Sequence, residues 1–194
     1  WPGMDLFIEE VVKDCEECKN SDKTLKTRAP PLSPVEVPDK PWVKFALDII
    51  GPLNMKYLRE RYILVLVDYH TRWVVVECVQ NFTTGTLISF LKRTFADEGS
   101  PEIIITDNGV QFTSEKMRDF LEVQTIKHFK SALYCPQANG LVERINCLIK
   151  DCLQRAETMH HSVREALQEM IWAYRTAPNS ITGISPFVSF KGRN

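Results

Sequence analysis

Apolar residues recur along this chain in two different periods. Ile8, Val11, Val12 and Cys15 stand at i, i+3, i+4 and i+7, which predicts a helix over 5–18. Five of the eleven prolines follow, at 30, 31, 34, 38 and 41. At that density they favour an extended path, so 19–41 reads as a linker. From Val43 the period becomes two. Val43, Phe45, Leu47 and Ile49 alternate with Lys44, Ala46, Asp48 and Ile50, a first strand stopped by Gly51 and Pro52. The continuous apolar run 62–67 predicts a buried second strand, and the β-branched stretch 72–79 a third. The short link over 68–71 predicts that these two pair as an antiparallel hairpin.

Further on, apolar positions 87, 88, 91 and 95 predict a helix over 83–98, ended by Gly99, Ser100 and Pro101. Ile103, Ile104 and Ile105 predict a fourth strand, 114–121 a short helix, and 125–129 a fifth strand. Two helices follow, over 140–158 and 161–176. Three strands, then alternating helix and strand, then helices predict a mixed α/β sheet with helices on both faces.

Composition narrows the class without naming a function. The 194 residues are 44% hydrophobic and 25% charged, ordinary for a globular chain, and no apolar run is long enough to cross a membrane. The start has no basic segment followed by an apolar one, so no secretory signal is expected. Net charge is −1, with six acids against one base in residues 1–18. The other 176 residues therefore carry only +4, so a nucleic-acid reading must rest on a site and not on bulk charge. Of six cysteines, only Cys15 and Cys18 have metal-like spacing. A reduced, intracellular setting is expected.

Three carboxylates carry candidate chemistry. Asp48 is a charge inside an apolar strand, which is costly unless a cation or a pairing Lys or Arg compensates it. Asp107 ends the fourth strand, where sites of open α/β sheets gather, although Asp-Asn-Gly is also ordinary turn chemistry. Glu143 opens the helix after Gly140, where the helix dipole alone favours an acid. On that helix Leu141, Ile145, Leu148, Ile149, Cys152 and Leu153 are expected to be buried. Glu143, Asn146, Cys147, Lys150 and Gln154 share another face. Each carboxylate alone has a plain structural reading. Two Asp and one Glu converging on a point would suit hard divalent cations. Asp68, at the end of the second strand, is expected to cap the hairpin turn.

Taken in order, the motifs resemble the integrases of gypsy-type long-terminal-repeat retrotransposons, relatives of retroviral integrases. The matching stretches are Trp-Pro-Gly-Met (1–4), Cys-Glu-Glu-Cys (15–18), Leu-Asp-Ile-Ile-Gly-Pro-Leu (47–53) and Leu-Val-Asp-Tyr (66–69). Then come Thr-Asp-Asn-Gly-Val-Gln-Phe-Thr-Ser (106–114), Tyr-Cys-Pro-Gln-Ala-Asn-Gly-Leu-Val-Glu-Arg (134–144) and Thr-Gly-Ile-Ser-Pro-Phe (182–187). The 35 residues between Asp107 and Glu143 also match that family. The resemblance implies a ribonuclease-H-like core over 42–194, with a five-stranded mixed sheet flanked by helices. It implies that 1–18 are the end of an HHCC-type zinc-binding helical domain. It carries metal-ligand and catalytic roles onto Asp48, Asp107 and Glu143, holding two Mg²⁺ or Mn²⁺ ions. It assigns DNA contact to Lys150, Arg144, Asn146, Gln137 and Asn139. The implied reactions are 3′-end trimming and strand transfer on DNA, in the nucleus, by a homo-oligomer with no membrane attachment.

Two departures qualify that picture. Only Cys15 and Cys18 remain of a four-ligand zinc site, so Zn²⁺ is expected in the full-length protein and not in this chain alone. Cys135 and Cys147 stand where the family usually has His and a basic residue. The leading reading is an integrase catalytic core. The alternative is a catalytically silent, host-domesticated domain that binds DNA or protein.

Overall fold

Residues 3–15, 37–53, 61–130, 140–159 and 162–192 are described by the computed structural model. The chain divides into two units, Trp1–Val35 and Glu36–Asn194. The first contributes helix α1, Met4–Asp14; positions 16–18 of the predicted helix lie outside the described residues. Leu6, Phe7, Ile8 and Val11 on it are exposed.

The second unit is built on a five-stranded sheet. Its strands are β1 (Lys44–Ile50), β2 (Tyr62–Asp68), β3 (Val74–Val79), β4 (Ile103–Thr106) and β5 (Lys127–Lys130). They lie in the order β3-β2-β1-β4-β5. The β1–β2 and β2–β3 pairs are antiparallel, while β1–β4 and β4–β5 are parallel. β2 is buried from Ile63 to Asp68 because it lies inside the sheet with helices on both faces. β5 is an exposed edge, and lysines at both its ends guard it against pairing with another chain.

One face of β1 and β2 presents Phe45, Leu47, Leu64 and Leu66 to the core. Helix α2 (Thr84–Glu98) covers it with Leu87, Phe90 and Leu91. The short turn α3 (Val110–Thr113) adds Phe112, and α4 (Glu115–Val123) adds Met117 and Leu121. Caps fix the ends of these helices. The Thr83 hydroxyl accepts from Thr86 N–H to start α2, and the Ser114 hydroxyl accepts from Met117 N–H to start α4. Gly99, at φ +92°, ends α2 in a conformation that favours glycine.

The opposite face carries α5 (Gly140–Thr158), on which α6 (Val163–Thr176) packs. Val142, Ile145, Ile149, Cys152, Leu153 and Ala156 of α5 are buried. The sequence expectation differs here, because Leu148 is 40% exposed and Val142 takes an inward position. Two overlapping apolar seams run along this helix, and the sheet takes the one through 142, 145 and 149.

A last helix, α7 (Pro186–Lys191), was not foreseen. Phe190 holds it, with ring centroids 4.8 Å from Trp42 and 5.0 Å from Trp73. Arg175 stacks 4.0 Å over Trp73 and donates two hydrogen bonds to the Val74 carbonyl, at 3.0 and 2.6 Å.

Candidate functional site

The parallel register between β1 and β4 builds the site. Ala46 lies opposite Ile105, so two residues further on Asp48 and Asp107 arrive side by side. Side chains alternate across a strand, which puts Asp48 on the face away from Phe45 and Leu47. That face meets α5, and Asn146 of α5 donates from Nδ2 to Asp48 Oδ2 at 2.6 Å. Asp107 is held in its turn, where Oδ1 accepts the Gly109 N–H at 2.8 Å.

Charge is poorly compensated at this point. Burial pushes the Asp48 carboxyl above its ordinary value of 3.8, and the neighbouring Asp107 charge pushes the same way. The Ile49 backbone bond, the Asn146 amide and the Lys150 charge pull it down without restoring it. A carboxyl raised in the fold binds its proton more tightly there than in the unfolded chain. Its contribution to stability is full below pH 3.8 and is lost as pH rises through the folded value. Asp48→Asn keeps an oxygen for Asn146 and cannot ionise. Denaturant unfolding is therefore expected to find it more stable than wild type at neutral pH, with the difference closing as pH falls below the carboxylate range. A variant less stable at neutral pH would contradict this electrostatic account.

The donor set fits a hard cation. Asp48 and Asp107 offer anionic oxygens, and Asn146 leaves its Oδ1 buried with no partner. Glu143 lies in the first turn of α5, one turn before Asn146, and is exposed. Among the described residues no three His, Cys, Asp or Glu side chains form a group that could hold a metal. The β1–β4 register sets Asp48 beside Asp107, and Glu143 stands one helical turn before Asn146, whose amide reaches Asp48.

The remaining site residues fall as follows. Lys150 is exposed on α5 and close enough to act on the Asp48 charge. Arg144 is exposed on an adjacent flank of the helix, near Tyr174. Cys147 is exposed, one turn past Glu143. Cys15 is half-buried just after α1. Cys18, Cys135, Gln137 and Asn139 lie outside the described residues.

Asp68 belongs to the hairpin corner. It is fully buried, and Oδ2 accepts from Thr71 N–H at 3.0 Å and from the Thr71 hydroxyl at 2.6 Å. It stands opposite Phe45, three residues back from Asp48 along β1.

Sequence reasoning missed two features. One is the hydrogen bond from Asn146 to Asp48, for which the i, i+3 spacing from Glu143 was the available signal. The other is His128, whose Nε2 lies 2.9 Å from the Thr106 hydroxyl just before Asp107. Burial lowers the His128 pKa, and Lys130 pushes the same way.

A family model described as Integrase core domain matches residues 39–136, a stretch that includes Asp48 and Asp107 and stops before Glu143. Over its whole length the chain is 34% identical to uncharacterized protein K02A2.6 of Caenorhabditis elegans, of which it spans 15%. Over 96% of its length it is 26% identical to the transposon Tf2-3 polyprotein of Schizosaccharomyces pombe, of which it spans 14%. The fold superposes on a chain of the simian T-cell lymphotropic virus intasome in complex with PP2A regulatory subunit B56 gamma. That match has a TM-score of 0.74 and 21% identity, covering 95% of this chain and 66% of the other. It also superposes on the HTLV-2 integrase catalytic core domain in complex with magnesium, in its trimeric form. There the TM-score is 0.64 and identity 24%, covering 78% of this chain and 97% of that one. At these identities the two structures attest the ribonuclease-H-like fold.

Proposed function

We propose, from the premise that this chain belongs to the integrase core domain family, that it is the catalytic core of a retroelement integrase acting on DNA ends and target DNA. The observation that carries the reading is the half-buried Asp48 beside Asp107, with their charge left largely uncompensated. Asp48, Asp107 and Glu143 would hold Mg²⁺ or Mn²⁺, two ions by family resemblance. Such ions supply charge neutralisation at the phosphate being displaced and acidify the attacking oxygen.

The chain's own groups do the rest. Asn146 fixes the Asp48 carboxylate by its amide hydrogen bond. Lys150 lies where a positive charge can meet a DNA phosphate beside the acidic pair. The reactions are in-line phosphoryl transfers, with water attacking in 3′-end processing and a 3′-hydroxyl in strand transfer. Positioning and charge neutralisation suffice, with no covalent enzyme intermediate. DNA is the partner in this reading, self-association accompanies it, and the setting is the nucleus. Zn²⁺ belongs to a completed site in the full-length protein, with Cys15 and Cys18 as two of its ligands.

Cys147, exposed on α5 in place of a basic residue, is what favours the second reading of a silent DNA- or protein-binding domain. Metal titration tests the site directly. Mn²⁺ at about 100 times its dissociation constant is expected to stabilise the fold by about 2.7 kcal/mol, read as a rise in melting temperature. Asp107→Asn should lose that rise. An equal rise in Asp107→Asn, or none in wild type, would count against the site.

A further inference from the structure

A second cluster lies on the other flank of α5. Between α5, α6 and the loop after α6 is a cavity of about 300 Å³. Arg72, from the corner between β2 and β3, lines it together with Arg144, Tyr174 and Asn179. Among the described residues no carboxylate lines it. Arg72 is only 8% exposed, and its Nε is buried with no partner. Neither arginine joins an ion pair among the described residues.

A buried guanidinium without a counter-charge is unfavourable unless a ligand provides one. The corner nonetheless holds Arg72 there, at φ +65°, with its N–H on the Asp68 carbonyl at 3.1 Å. A side chain kept in a rarely used backbone conformation needs surroundings that enforce it, and the buried Asp68–Thr71 bonds do so. The planar arginine fork matches the oxygens of a phosphate. Burial raises the Tyr174 pKa, while Arg72, the Asn179 bond and Arg144 pull it down less. Its hydroxyl therefore stays protonated and able to donate.

We propose that this cavity binds one phosphodiester of the DNA backbone, gripped by Arg72 and Arg144 with Tyr174 as a further donor. The assignment rests on the integrase reading and extends it to a site away from the acidic pair. DNA is the source because Arg144 and Leu148 reach the cavity from the helix whose other flank presents Glu143, Asn146 and Lys150. A helix is about 10–12 Å across, and phosphates of one strand recur every 3.4 Å or so of duplex rise. A duplex held on one flank thus passes the other. Leu148 is 40% exposed and offers an apolar wall to a deoxyribose.

Fluorescence anisotropy of the 194-residue chain with a labelled blunt DNA duplex, across a salt series, tests the proposal. Arg72→Gln and Arg144→Gln should each weaken binding on the order of tenfold and reduce the slope of log K against log salt by less than about 0.9, because the other arginine still meets the phosphate. The double variant should lose about 0.9 in all and not twice that, because both side chains serve one phosphate. Tyr174→Phe should weaken binding with the slope unchanged. If circular dichroism shows Arg72→Gln unfolded, Arg144→Gln and Tyr174→Phe decide by the same criteria.

Unchanged affinity and slope in these variants, with wild type binding DNA and Lys150→Gln weakened, would overturn the cavity and leave the integrase reading standing. No DNA binding by wild type would overturn both. Unchanged DNA binding with a melting rise in inorganic phosphate at constant ionic strength would mean a free phosphate ligand, and would overturn the assignment to DNA.

Discussion

Glu143→Gln in the full-length protein is expected to abolish metal-dependent strand transfer, a loss of about 10³-fold or more, while the core stays folded. The side chain is exposed in the first turn of α5, so it contributes no buried packing. Glutamine has the same length and a similar helix propensity. The substitution removes one negative charge near the helix N-terminus, where a carboxylate contributes about 0.3–1 kcal/mol. Stability should therefore change by less than about 1 kcal/mol. In the proposed reaction the charge matters because Glu143 would be the third carboxylate of a two-ion site, a role the neutral amide cannot fill. Circular dichroism and a gel-resolved joining assay on the same preparations separate the two effects. A folded variant with near-normal joining would remove Glu143 from the site.

Phe45→Ala is expected to destabilise the fold by about 3–5 kcal/mol, lowering the melting temperature by roughly 10 °C. Phe45 is fully buried in β1, between the sheet neighbours that carry Leu64 and Leu66 and the helices that cover them. Its ring also meets the Trp42 ring edge-on at 4.3 Å. Trp42 in turn donates its indole N–H to the Gly99 carbonyl at 2.6 Å and packs on Phe190 of α7. The cavity left by truncation therefore loosens the start of β1, the end of α2 and the last helix together. Phe129→Ala provides the contrast. That ring is 52% exposed on the edge strand β5, and its loss should stay within about 0.5 kcal/mol.

Elements with a long, clean period were legible from the residues alone. Helix 140–158 coincides with α5, and run 62–67 is β2 less its final Asp68. The mixed sheet with helices on both faces followed from element order. What the sequence hid depends on distant partners. Six-residue α7 has too few turns to show a period, and contacts with Trp42 and Trp73 hold it. Which seam of α5 turns inward was decided by the sheet beneath it, because Leu148 and Val142 look alike to a periodicity argument. At the site, Asp48 and Asp107 were each suggestive and each explicable as structure. Their adjacency comes from the parallel pairing of β1 with β4, which two strands and a helix separate along the chain. The Arg72 cavity was illegible, since it joins segments some 70 and 100 residues apart and depends on a positive φ at an arginine.

The central claim is that this core catalyses DNA strand transfer, and a joining assay with the full-length protein tests it most directly. A labelled duplex carrying the ends of its element, incubated with target DNA and Mg²⁺ or Mn²⁺, should yield joined products longer than the substrate. Those products should disappear with chelator, with a 3′-deoxy end, and in Asp107→Asn. DNA bound at comparable affinity with no joined product in either metal would contradict the claim and make the silent binding domain the better account.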